Sequence, residues 1–125
     1  MTIKRHTPRA TAMLIVINAK LYQQEREREI SRYRFSHNTL RRFSGRNTLR
    51  QSFLSELSDE LAELRWMFVP LGAEFAVVDL SKSDSWVKLS SKRVGDQRLL
   101  DADAQDIEDR FNELMPVEDE TDSDD

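Results

Sequence analysis

The stretch Ser36–Arg50, SHNTLRRFSGRNTLR, holds a helix, its stop and the approach to a second helix. Ser36 suits an N-cap, because its hydroxyl can accept from a backbone N–H that a helix start leaves without a partner. Leu40 and Phe43 then share the inner side of a short helix over 37–44. Gly45 stands where a helix ends in the left-handed conformation. Asn47 or Thr48 can cap the next helix, which runs to Arg65. Its apolar positions Leu49, Phe53, Leu57, Leu61 and Leu64 form a helical stripe. Arg41, Arg42, Arg46 and Arg50 crowd this junction, with no acid among them.

Working outward, Arg32-Tyr33-Arg34-Phe35 alternates charge with aromatic at period two, the pattern of a short strand with Tyr33 and Phe35 on its core side. Residues 1–7 read as a loose polar arm. Thr7-Pro8 predicts a helix start, and Ala10, Leu14, Ile17 and Leu21 predict the inner face of a helix over 8–29. The β-branched run 12–17 also fits a strand. Downstream, Trp66–Val69 and Glu74–Leu80 predict a hairpin turning through Pro70–Ala73. Trp86–Leu89 fits a third strand or a short helix, and Trp66 and Trp86 are expected to pack. Ile107, Phe111 and Leu114 predict a helix over 103–115, stopped by Pro116. Val117–Asp125 carries six acids and one apolar residue, a composition that does not fold on its own.

Helix, short strand, helix, tight turn, helix, hairpin is an order that resembles the winged helix-turn-helix architecture. The residues carrying the resemblance are Ser36–Gly45 as second helix and turn, Arg46–Arg65 as third helix, and Trp66–Leu80 as wing strands. The expected class is α+β, mainly α: a three-helix core with a small antiparallel hairpin, a C-terminal helix and an acidic tail. The expected partition is a flexible 1–7, a winged-helix-like domain 8–95, a linker with C-terminal helix 96–115, and the tail 116–125. Fold alone does not assign function, because winged helices also dock proteins.

Charge is more informative than the net value of −4. Residues 1–50 hold 12 Lys and Arg against 3 acids, residues 51–95 hold 5 against 7, and residues 96–125 hold 2 against 13. A basic half followed by an acidic end suits a polyanion-binding face with an anionic segment able to compete for it. Both charged regions also fit a merely solvated surface. The chain has no cysteine, which excludes disulfides and thiolate metal sites. Its longest apolar run, Ala12–Ile17, is far short of the roughly 20 residues that span a bilayer. A cytoplasmic protein without membrane partner is expected.

No catalytic arrangement stands out. His6 and His37 lack partners at triad spacing. The Asp101, Asp103, Gln105, Asp106 cluster fails as a calcium loop, which needs glycine where Asp106 stands and a carboxylate where Asn112 stands. No cofactor, no metal and no enzyme activity are expected. In helix-turn-helix proteins the start of the recognition helix meets base edges while the preceding helix crosses the backbone. The resemblance therefore implies duplex DNA as partner for a transcriptional or replication regulator. Arg41, Arg42, Arg46 and Arg50 would hold phosphates, with Asn47, Thr48 and Gln51 nearest the bases, and Arg34 and Lys82 would extend the basic face. The third helix turns acidic after Gln51, and its long stripe also suits a homodimer. The competing expectation is a protein-binding inhibitor or adaptor from a mobile element, such as a phage or plasmid. It would dock on a host nucleic-acid enzyme or defence complex and use acidic surface as a phosphate mimic.

Overall fold

A computed structural model describes residues 4–115. The described residues form two compact units, divided after Trp86. The acidic tail lies outside the described residues. The first unit contains α1 (Pro8–Arg26), β1 (Arg32–Ser36), α2 (His37–Ser44), α3 (Gln51–Glu63), β2 (Trp66–Pro70), β3 (Glu74–Asp79) and a 3-10 turn over Leu80–Ser85. The strands form one antiparallel sheet in the order β1-β3-β2, with Phe35 opposite Phe75 and Phe68 opposite Val77. Helices with this small sheet make an α+β architecture compatible with a winged-helix-like arrangement. No helix among the described residues is long and apolar enough to cross a membrane.

The local signals around α2 act as the chemistry requires. Ser36 Oγ accepts from the Thr39 N–H at 3.1 Å, and Gly45 closes the helix at φ +70° while its N–H donates to Arg41 O. Leu40 is fully buried. In α3 the stripe Phe53, Leu57 and Leu61 faces the core, against α1 and β2. The expected use of this stripe for dimer packing is therefore corrected, since the stripe is already covered. Phe68 stacks on Phe75 at 5.1 Å between centroids, and Phe35 meets Phe75 at 6.0 Å and Phe43 at 6.1 Å. Tyr33 and Phe35 do take the core side of β1, with Arg32 and Arg34 outward.

Several boundaries differ, each for a reason. α1 ends at Arg26 rather than 29, because Glu27 turns left-handed at φ 53°. Gln23 Oε1 then accepts from the Ile30 N–H, bringing Ile30 against the core. α3 begins at Gln51 with Arg50 as an N-cap lacking a side-chain bond. Neither Asn47 nor Thr48 caps it, because Leu49 is drawn onto the core and residues 46–50 are used to reach α3. α3 stops before Arg65, which takes φ 69°.

The largest correction concerns α1. Its buried face is Thr11, Ala12, Ile15 and Ala19, not Ala10, Leu14, Ile17 and Leu21. Small side chains let α1 approach α3 closely, as ridge-and-groove packing favours. Thr11 tolerates burial because its hydroxyl donates to Thr7 O at 2.9 Å. Residues 4–6 are also not a loose arm. The His6 N–H donates to Ser44 O at 2.9 Å, so this segment lies across the α2–α3 turn.

The second unit, described by itself, holds α4 (Lys92–Asp96) and α5 (Ala104–Leu114). Asp103 caps α5 by accepting from the Asp106 N–H, and Arg110 donates to Gln97 and Glu113. Trp86–Leu89 forms no strand or helix. Trp86 is 47% exposed, so the expectation that it packs is corrected.

Candidate nucleic-acid interface

The turn between α2 and α3 is built around Gly45. A Cβ there would stand 2.2 Å from Lys4 O and 2.7 Å from Arg5 Cα, so only glycine admits the arm at this distance. The arm is locked from the other side by Arg46, whose Nη1 donates to His6 O at 2.5 Å. The same guanidinium lies 4.0 Å above the centre of the Phe53 ring, a cation–π contact on a buried aromatic. Arg46 is thus a structural rivet as well as a cation.

The result is a polar cleft of about 430 Å³ at the start of α3. Arg5, Arg46 and Arg50 line it as cations, and Asn47, Thr48 and Ser52 line it as neutral donors. Among the described residues Glu56 is the one acid in its wall. No side chain caps α3, so the first-turn N–H groups face the cleft side without an intrahelical acceptor. Burial pulls the Arg46 pKa below its ordinary value, and the like charge of Arg5 pulls the same way, against Glu56.

Nine residues were expected to form the site, and they divide. Arg46, Asn47, Thr48 and Arg50 come together in the cleft. Arg41 and Arg42 are exposed on α2 beside it, and Arg41 Nε donates to Asn47 O at 3.1 Å. Gln51 is exposed in the first turn of α3. Among the described residues, Arg5, Arg41, Arg42, Arg46 and Arg50 take part in no ion pair. Arg34 and Lys82 are different. Arg34 lies on β1, 3.5 Å from Glu74, and Lys82 lies in the 3-10 turn with its ammonium on Glu29. The hairpin tip, Leu71-Gly72-Ala73, carries no cation. Sequence reasoning missed Arg5 and Ser52. Ser52 sits four residues before Glu56, which could have been noticed. Arg5 reaches the cleft only through a packing of chain segments forty residues apart.

The outer face of α3 has the opposite sign, with Glu56, Asp59, Glu60 and Glu63 along it. Arg9 bridges Glu60 at 3.2 Å and Glu63 at 3.7 Å. No protein-family model, curated protein or solved structure matches the chain.

Proposed function

We propose that this protein binds duplex DNA through the phosphate backbone, as a small regulator of winged-helix type. One observation carries the reading: three arginines that form no ion pair among the described residues converge with neutral donors on the uncapped start of α3. A phosphate fits such a place because the helix end, the guanidinium groups and the hydroxyls all donate. Phe53, the aromatic in the cleft wall, is covered by Arg46. The cleft therefore offers no open ring for base stacking, which favours a duplex over a single strand. The acidic outer face of α3 keeps the rest of that helix away from phosphates. Base contact falls to Asn47, Thr48 and Gln51, and most of the affinity to charge.

The test is a salt-dependent titration of the full chain, beside a form ending at Val117, on duplex DNA. Neutralising about four phosphates gives a slope of log K against log salt near −4. Arg5→Glu with Arg50→Glu should abolish binding while the fold persists, since both side chains are exposed. An absence of binding at low salt by both forms would overturn the proposal.

The acidic face of α3 favours a second reading, an inhibitor or adaptor that presents carboxylates to a nucleic-acid enzyme in place of phosphates. It predicts the opposite sensitivity. Reversal of Asp59 and Glu63 would destroy activity, and reversal of Arg50 would leave it intact.

A further inference from the structure

The arginine cleft is bounded on one side by carboxylates. Glu56, in its wall, also lines a neighbouring hollow of about 260 Å³ together with Asp59 and Glu60. Arg9, the cation of that hollow, is taken up by Glu60 and Glu63. On the other side stand Arg41 and Arg42 of α2, in no ion pair among the described residues, and Arg41 Nε donates to Asn47 O at the cleft. The cleft between them is built rather than splayed. The arm carrying Arg5 crosses Gly45 with no room for a Cβ, and Arg46 is fixed on Phe53 and His6 O. We infer that this cleft takes the terminal phosphate of a duplex, a phosphomonoester at a strand end, in preference to an internal phosphodiester.

Two observations select an end. The first is the change of sign beside the cleft. An internal phosphate is followed by backbone in both directions, so a strand entering past Arg41 and Arg42 would leave towards Glu56, Asp59 and Glu60, where like charges repel. A strand end continues in one direction only, and the α2 side receives it. The second is the charge of the cleft itself. Among the described residues, three guanidiniums against one carboxylate line it, an excess of two positive charges. A phosphomonoester carries about −1.5 to −2 at pH 7 and three free acceptor oxygens, whereas a backbone diester carries a single charge and one free oxygen fewer. Converging guanidinium groups reward the group with more charge and more acceptors. The other cations expected on the DNA face, Arg34 and Lys82, are each paired with an acid and do not extend the site along a duplex.

The inference rests on the DNA-binding reading of the same cleft and narrows it. The test is fluorescence anisotropy of the full chain at low salt on one short, internally labelled duplex. The duplex is prepared with 5′-phosphates, with 3′-phosphates or with hydroxyl ends. A phosphate at one kind of end should tighten binding about tenfold over the hydroxyl-ended duplex, as one further charge-assisted contact does. Whichever end gives the gain identifies the source of the monoester. Arg50→Ala should shrink that gain to about twofold or less, a coupling that a general loss of positive charge would not produce. Arg50 is exposed, so the variant keeps its fold. Equal affinity for all three duplexes would overturn the inference and leave backbone binding standing. A gain that Arg50→Ala leaves intact would overturn it too, because the end would then sit elsewhere. Failure to bind any of the three would end the DNA-binding reading and the inference together.

Discussion

Gly45→Ala should destabilise the protein in two separable ways. Gly45 sits at φ +70°, and left-handed backbone costs an L-residue about 1–2 kcal/mol. The new Cβ would also meet Lys4 O at 2.2 Å and Lys4 C and Arg5 Cα at 2.7 Å, all backbone atoms of the arm. The arm must therefore leave, and with it go the His6 N–H to Ser44 O bond and the Arg46 bond to His6 O. A neutral hydrogen bond contributes about 1 kcal/mol and a charged one about 1.5–3, nearer the lower end in a half-exposed site. The total is about 3–5 kcal/mol. Deleting residues 1–5 removes the clashing atoms and keeps His6, so in that background only the left-handed cost of about 1–2 kcal/mol remains. The assay is urea unfolding followed by far-UV circular dichroism on four proteins: the natural chain, each change alone, and both together. Non-additivity of about 2 kcal/mol or more is expected, as for groups in contact. An equal cost of Gly45→Ala with and without residues 1–5 would refute the packing of the arm on the turn.

Arg46→Ala should lower stability by about 2–3 kcal/mol through loss of the Phe53 and His6 contacts, whereas Arg50→Ala should leave the melting temperature unchanged. In a DNA titration Arg50→Ala should flatten the salt slope by about 1, the signature of one lost phosphate contact. Glu56→Gln removes the carboxylate from the cleft wall and should raise DNA affinity about threefold at low salt, from a Coulomb term of under 1 kcal/mol in water. Burial pushes the Tyr33 phenol up to about 12 while its hydroxyl donates to Ile15 O at 2.5 Å. The folded state then holds its proton more tightly than the unfolded one, so this contribution is complete below pH 10 and lost as pH rises towards 12. Ultraviolet titration should show one late-ionising tyrosine that Tyr33→Phe removes.

What was legible in the sequence was local or unambiguous. Ser36 and Gly45 bracket α2 because a cap and a left-handed stop are decided by the residues themselves. The α3 stripe was readable because its other face is acidic, which leaves one choice for the core. α1 offered two choices, an alanine-rich face and a larger apolar one, and burial by volume favours the larger. Close helix approach favoured the smaller, through Ala12 and Ala19. Nothing within α1 reveals that preference, because it depends on how near α3 comes. Arg5 was illegible for a similar reason, since its place in the cleft follows from a chain crossing at Gly45.

The distribution of charge on α3 constrains how any duplex can be held. Its first turn opens on the arginine cleft, while Asp59, Glu60 and Glu63 follow within three turns on the exposed side. A helix laid along a major groove would bring those carboxylates near phosphates, and like charges there cost affinity. A helix approaching end-on meets the backbone with its uncapped N–H groups and keeps the acids in water. Arg9 supports that orientation by partly neutralising Glu60 and Glu63 from α1. End-on contact leaves three residues, Asn47, Thr48 and Gln51, to read bases, so discrimination between sequences should be small beside the salt dependence. A winged-helix-like core would then act chiefly as a phosphate clamp.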